Sequence, residues 1–435
     1  MKSVKTVVEN GLCCGCGTCR AVCPTKAISI QISVEGKLEP EIDEKCFFCG
    51  KCLKYCPQVA FNYDIEQMEQ FGVSADRPLI GTYKELLNVH AKDEDVLQDS
   101  TSGAAVITLV KNLLQDKVYN SAFLIDTYNY SEVVYTVRYT IDQDFTTVPK
   151  SRYVQVSHEQ DIRYMINNPE EKIIFVGTSC FIHSVLNVIK QNNLNRNNYL
   201  LIGLFCDKTM TYHVWDYFNS IFANQSLKSL LFRDKKLSGW PGEVKLINTV
   251  GEEFDISRKE RIAVKDYFMP EACLYCMDKL NRFADFSAGD NYTTIARHEN
   301  GSNTLFIRTE RAYNVWEKYK SHFMVTEIDE EAVANSQKIE ERRSNLAYAM
   351  FDKKDTLGFE IDAKRFPSGW EIEYKKLKGK ISQGKIGDYR SIYAQILKAR
   401  DERQKANCLK KILKKLLYSF AKGTGLLAIY KKIKK

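Results

Sequence analysis

The sequence predicts a protein of α+β and α/β character in three parts: a small cysteine-rich module, a mixed α/β layer and a helical basic tail. Eight of the nine cysteines in residues 13–56 form two equal runs. From about residue 82, strand-like and helix-like segments alternate. Near the C-terminus a lysine-rich helical periodicity takes over. A chain of 435 residues exceeds the usual single domain, and a hydrophobic content of 44% supports a real core. The expected divisions are 1–62, a linker over 63–81, a catalytic layer over 82–335 and a tail over 336–435.

The cysteine runs are the strongest motif. Cys13-x-x-Cys16-x-x-Cys19-x-x-x-Cys23-Pro24 is repeated as Cys46-x-x-Cys49-x-x-Cys52-x-x-x-Cys56-Pro57. This is the bacterial ferredoxin frame for two [4Fe–4S] clusters, in which the fourth cysteine of each run ligates the other cluster. One cluster is therefore assigned to Cys13, Cys16, Cys19 and Cys56, the other to Cys46, Cys49, Cys52 and Cys23. Structural zinc normally closes on two Cys-x-x-Cys or Cys/His pairs, which two four-cysteine runs ending in Cys-Pro fit poorly. Between the runs, "AISIQISVEGKLEPEID" reads as a hairpin turning at Glu35-Gly36. The start MKSVKTVVEN has no apolar h-region, and no run reaches about 18 apolar residues. A soluble, cytoplasmic protein with reduced thiols is expected, without a disulfide framework.

In the middle layer "ELLNVHA" reads as a strand and "SGAAVITLVKNLLQDK" as a helix. "SAFLIDTY" and "VVYTVRYT" look like strands, and "EQDIRYMINN" like a helix. "KIIFVGTSC" is a buried strand ending in a tight turn, "FIHSVLNVIKQ" a helix and "YLLIGLFCDK" a second buried strand. Ligands of such layers sit at the carboxyl ends of the strands. Cys180 and Cys206 stand just past the two buried strands, and Cys273 and Cys276 form a further pair. Four such thiols could enclose a third [4Fe–4S] cluster. Small core residues, a zinc pair or a redox pair are the alternatives.

The segments "DSTSGAAVITLV", "KSRYVQVS", "IIFVGTSCFIHSVL", "GLFC", "CLYCMDKLNRFADFSAGD" and "GSNTLFIRTE", in that order, resemble the coenzyme F420 hydrogenase/dehydrogenase beta-subunit family over residues 80–335. The ferredoxin-like module matches its longer bacterial and plant members. The resemblance implies an iron–sulfur flavoprotein that binds FAD and relays single electrons through [4Fe–4S] clusters. It makes Cys180, Cys206, Cys273 and Cys276 the ligands of a cluster beside the flavin. Flavin contacts are expected from Ser100-Thr101-Ser102-Gly103 and Gly177-Thr178, which precede helices whose N-termini can hold a pyrophosphate. Ordinary helix capping explains the same residues. Asp285, Gly289 and Asp290 match the family's acidic-Gly motif, and Arg308 is a candidate anion contact. Lys208, Lys265 and His213 are further polar candidates.

Two departures stand out. The family's Gly-Thr-Pro-Cys-Gln turn is here Gly177-Thr178-Ser179-Cys180-Phe181, and its Cys-His-Gly step is Cys206-Asp207-Lys208. Both keep the thiol and change its neighbours, so substrate identity does not carry over. No GxGxxG follows a strand, so an NAD(P) site is not indicated. Reduced ferredoxin or flavodoxin is the expected donor. Relatives of this length resemble proteins of glycan and polysaccharide biosynthesis, implying a sugar- or lipid-linked small-molecule substrate. An electron-transfer subunit without its own substrate, or a coenzyme F420 oxidoreductase, are the competing readings.

Of the remaining cysteines, Cys14 is out of register in the first run and reads as a bystander, and Cys408 lies in the tail. The tail holds thirteen Lys/Arg between Lys398 and Lys435 against Asp401 and Glu402. That surplus of eleven exceeds the whole chain's +8, leaving the rest near −3. Leu409, Ile412, Leu413, Leu416, Leu417 and Phe420 share one helical face opposite Lys410, Lys411, Lys414 and Lys415. Such a helix suits an anionic membrane surface or a protein core. No recognition motif accompanies the charge, so nucleic acid is not an expected partner.

Overall fold

The computed structural model describes residues 3–339, except 75–79, 126–132, 146–149, 220–225, 259–260, 263–264, 266–267, 277 and 296. The tail expectation, including Cys408, lies outside these residues. Among them no helix is long and apolar enough to cross a membrane.

The cysteine-rich module folds as two short halves. Each run leads into a one-turn helix, Thr18–Ala21 and Lys51–Tyr55, entered through the left-handed glycines Gly17 and Gly50. Between them lies the expected hairpin of β1 (Ile28–Ile32) and β2 (Leu38–Ile42), with Ile30 opposite Pro40. Ile28 and Ile30 are buried while Ser29 and Gln31 are exposed, the period-two pattern of a half-buried strand.

An eight-stranded mixed sheet forms the body. Its order is β15 (Phe323–Glu327), β3 (Glu85–Ala91), β14 (Asn303–Ile307), β13 (Phe286–Asp290), β9 (Tyr199–Leu204), β8 (Ile173–Gly177), β4 (Ser121–Leu124) and β6 (Val137–Tyr139). The central four, β13, β9, β8 and β4, are parallel and the outer pairs antiparallel. Every residue of β8 is buried, as a strand covered on both faces requires. One face packs on the helix Ala105–Gln115, the other on the helices Glu159–Asn167 and Ser179–Gln191.

Three expectations change. "VVYTVRYT" is not one strand: β5 (Val134–Tyr135) pairs with β7 (Val156–Ser157), and β6 joins the main sheet. Between them the buried Thr136 hydroxyl donates to Asp161. The linker begins as a helix, Tyr63–Phe71, capped by the Asn62 side chain and packed on the core through Tyr63. A three-stranded antiparallel sheet, β10 (Leu227–Asp234), β11 (Glu243–Asn248) and β12 (Glu253–Ile256), was not anticipated.

The module is fused to the body by a shared core. Leu12, Val22, Tyr55 and Phe61 pack in one cluster with Phe175, Phe181 and Val185. Polar ties fix the register. The His158 N–H donates to the Cys16 carbonyl at 2.9 Å, and the Leu38 N–H to Gln155 Oε1 at 2.9 Å. The Thr18 and Ser184 hydroxyls are hydrogen-bonded. At Gly17, with φ 77°, a Cβ would overlap Ser157 Oγ, so the close approach admits glycine alone.

Candidate functional site

Cysteines of the two runs approach one another: Cys13, Cys16, Cys19 and Cys56 line one small cavity together with Cys14, walled by Val4, Val7, Ile30 and Pro40. Cys19 interacts with Cys16, Cys13 and Cys56, and also with Cys52, which in turn interacts with Cys49, Cys46 and Cys23. Cys56 thus lies near the first run and Cys23 near the second, as the crossed assignment would need. Backbone N–H groups of Gly15, Thr18 and Val4 bond to the sulfurs of Cys13, Cys16 and Cys52. Such bonds are a recognised lever on cluster potential. Burial pushes the Cys13 and Cys19 thiols up, the cost of holding thiolate in an apolar wall. A cluster's iron would offset it. The residues fit the group: four thiols, an apolar cavity and N–H donors on the sulfurs.

The second set of thiols lies at the carboxyl edge of the parallel strands. Cys180 sits in the first turn of Ser179–Gln191, just beyond the end of β8, and Cys206 two residues past β9. The 276–279 segment draws them together. The Ser179 hydroxyl donates to the Asp278 carbonyl, and the Cys206 N–H to the Lys279 carbonyl at 2.9 Å. Cys273 and Cys276 lead into that segment through the turn Glu271–Tyr275. Asp278 anchors it from beneath, bonding to His183 Nε2 at 2.9 Å and to the Arg282 N–H at 3.0 Å. Burial works against its charge, yet His183 and Arg282 hold its carboxyl below the usual range.

Cys14 is more than a bystander in place. Its thiol lies within interaction range of both Cys16 and Cys180, so a line of sulfur runs from the module's cavity to the sheet edge. The Cys14 contact, more than any other group, pulls the Cys16 thiol down to about 6. The out-of-register position in Cys13-Cys14 was the only signal in the sequence, and it does not reveal a contact with so distant a residue as Cys180.

The residues assigned to flavin divide into two groups. Ser102 and Gly103 of the 100–103 loop approach Ser302 and Asn303, and Asn303 pairs with Asp290 across the sheet. The Asn303 side chain accepts from the Ala105 N–H at 3.1 Å and donates to the Gly289 carbonyl at 3.2 Å. The helix after this loop starts at Ala105 behind a left-handed Ala104, with its first N–H already taken. Gly289 has a packing reason, since a Cβ there would overlap the Phe205 ring. Gly177 and Thr178 lie beside Cys180, and the Thr178 hydroxyl is 3.2 Å from its sulfur.

Asp285 and Arg308 have different tasks. Asp285 precedes β13 and accepts from Arg196, the Leu201 N–H and Thr309. Arg308 is buried, donating to Ser287 Oγ and to the carbonyls of Ile80, Thr82 and Leu280. With those donors committed, it braces strands and does not face an anion. His213 ties to the Val34 carbonyl of the hairpin turn at 3.1 Å, and Lys208 is 3.8 Å from Asp207.

Sequence reasoning missed Arg233 and Tyr153. Arg233, on β10, pairs with Asp290 at 2.7 Å. Tyr153 is half-buried, and Arg233, Lys265 and Arg261 outweigh its desolvation and lower its phenol. No motif marks them, because the three-stranded sheet that delivers Arg233 was itself unread.

Comparison with known proteins agrees with this arrangement. Residues 12–61 match the 4Fe-4S dicluster domain, and residues 170–332 match the C-terminal part of the beta subunit in the family described as "Coenzyme F420 hydrogenase/dehydrogenase". The class is that of iron–sulfur electron-transfer proteins. Over residues 170–332 the chain is thus similar to the coenzyme F420 hydrogenase/dehydrogenase beta-subunit family, the resemblance its motifs carry. A coenzyme F420-dependent sulfite reductase of Methanocaldococcus jannaschii is 23% identical over 373 residues, 79% of this chain. The match spans 53% of that reductase, about half its length. An uncharacterised protein of the same archaeon is 22% identical over 385 residues, covering 79% of this chain and 98% of its own. A chain of the F420-reducing [NiFe] hydrogenase complex from Methanosarcina barkeri is similar at 18% identity and TM-score 0.45, covering 62% of this chain and 96% of that one.

Proposed function

We propose that the protein is an iron–sulfur flavoprotein reductase. It accepts electrons at its N-terminal module and reduces an organic substrate at the carboxyl edge of the parallel strands. The observation that carries the reading is the line of sulfur from Cys16 through Cys14 to Cys180. An electron entering the dicluster module has a protein-built route to that edge, where Cys206, Cys273 and Cys276 complete a third ligand set.

FAD would be held there by the Ser100–Gly103 loop, Gly177 and Thr178, and Gly289 with Asp290; when bound it supplies the exchange between single electrons and a hydride. Buried polar atoms without partners support the fit, among them Ser100 Oγ and Trp240 Nε1. The chain's own residues orient and exclude. Phe205 closes against Gly289, and Asp278 with His183 fixes the segment carrying Cys276. At the other end, Phe47 is 63% exposed, Phe48 is half-exposed and Cys49 is exposed. That apolar patch beside the second ligand set suits a small donor protein, a reduced ferredoxin or flavodoxin. The substrate is a sugar- or lipid-linked intermediate of glycan biosynthesis in this reading, and the basic tail a peripheral membrane contact. A second reading, reaction with coenzyme F420, is favoured by the name of the sulfite reductase relative.

The test is turnover. Full-length protein purified without oxygen and reduced through ferredoxin is offered nucleotide sugars, lipid-linked sugars or F420, and its reoxidation is followed by absorbance. Reoxidation by one class with stoichiometric product supports the reading. Bound flavin absent, or reoxidation by no small molecule together with tight binding to another protein, makes the chain an electron-transfer subunit instead.

A further inference from the structure

A buried cluster of cations lies where β10, β13 and the 151–155 loop meet. Arg233 is 4% exposed. Its Nε donates to the Pro241 carbonyl at 2.9 Å, its Nη1 pairs with Asp290 at 2.7 Å, and its Nη2 has no partner among the described residues. Arg261, 7% exposed, likewise leaves its Nε without a partner among them. Lys265 Nζ stands 4.4 Å from the centroid of the Tyr153 ring. All three cations interact with Tyr153, and Arg233 and Arg261 also with Asp290 and Tyr292. Among the described residues Arg233 and Arg261 thus share the Asp290 carboxylate, Lys265 stands against the Tyr153 ring, and Lys235 adjoins Arg233. Asp234, next along β10, is taken by Lys245 at 3.3 Å.

Buried like charges repel, and a buried N–H without an acceptor has lost its hydration without compensation. Both penalties vanish if an oxyanion enters. The guanidinium fork matches phosphate geometry, and a phosphoryl group brings three acceptor oxygens and up to about two charges. The position is telling as well. Asp290 ends β13 beside Gly289, and Thr101 Oγ1 lies 3.1 Å from Ser151 Oγ, so the cluster borders the loop proposed for FAD.

We propose that Arg233, Arg261 and Lys265 form an oxyanion pocket that takes a phosphoryl group of the molecule bound at this edge. The role in catalysis rests on the function proposed above; the pocket itself stands on the geometry. The phosphoryl group has two sources, the pyrophosphate of FAD and a phosphorylated substrate.

The test uses the full-length protein, flavin-loaded and flavin-stripped, titrated calorimetrically with inorganic phosphate and pyrophosphate against a nitrate control. Arg261→Gln and Lys265→Gln are the variants, because Arg233 also supports Asp290. Each is expected to weaken binding about tenfold or more, the loss of one charge-assisted contact of about 1.4 kcal/mol. Binding to loaded protein assigns the pocket to the substrate. Binding only after stripping, with FAD affinity falling in both variants and riboflavin affinity unchanged, assigns it to the flavin. Binding in neither form, or equal binding by wild type and both variants, overturns the proposal. Phosphate binding by a protein that takes up no flavin would refute the flavin reading and leave the pocket standing.

Discussion

The dicluster cavity and the Arg233 pocket sit in one molecule with opposite electrostatics. The cavity is lined by thiols, glycines, aliphatic residues, Thr18 and Gln58, with no charged side chain. The Arg233 pocket concentrates three cations, two tyrosines and a carboxylate. A neutral wall with N–H donors suits a group whose charge changes by one electron at a time. Dense, half-satisfied charge suits a ligand that must be fixed in place. In the proposed function, electron entry and ligand recognition fall in these two different environments.

The largest expected effect tests the cavity. Cys13→Ala or Cys56→Ala should each remove about four irons per chain, and the double variant no more than either single. Cys13→Ala combined with Cys23→Ala should remove about eight. Iron analysis showing that Cys13→Ala and Cys56→Ala add would break the crossed assignment.

The next tests the charged pocket. Arg233→Gln removes the cation paired directly with Asp290 and should cost about 3 kcal/mol, read by anaerobic denaturation. A loss below about 1 kcal/mol would mean that Asp290 is not dependent on Arg233.

A smaller effect follows from pH. Burial, then Lys150 and Arg233, lowers Lys235 to about 8, against the pull of Asp99 and Asp290. The charged form therefore exists below that value. Phosphate affinity should fall as pH rises through about 8 in wild type, and fall less in Lys235→Met. An unchanged pH profile in the variant would remove Lys235 from the pocket's field.

The smallest effect concerns the sulfur line. Cys14→Ala should leave iron content unchanged and stability within about 1 kcal/mol, while lowering the potential of the adjoining clusters, because hydrogen bonds to ligand sulfur stabilise the reduced form. A redox titration followed by electron paramagnetic resonance that shows no shift would make Cys14 a spacer.

The two regions also differ in how far the sequence reveals them. The cavity's ligands are a contiguous frame, and local spacing alone predicts which thiols meet. Cys180 and Cys206 were legible because both buried strands were. The Arg233 pocket was not, since its residues come from four separated segments and the β10–β12 sheet carries no distinctive periodicity. Arg308 shows the converse error. A basic residue after a strand looks like an anion contact until burial and four protein acceptors give it another partner set.

The central claim is that the module's clusters lead to a third cluster and a flavin at the sheet edge. Iron, acid-labile sulfide and flavin measured on the anaerobically purified full chain test it most directly. About twelve irons, twelve sulfides and one FAD per chain are predicted. Eight irons with no flavin would leave only the dicluster module and contradict the account.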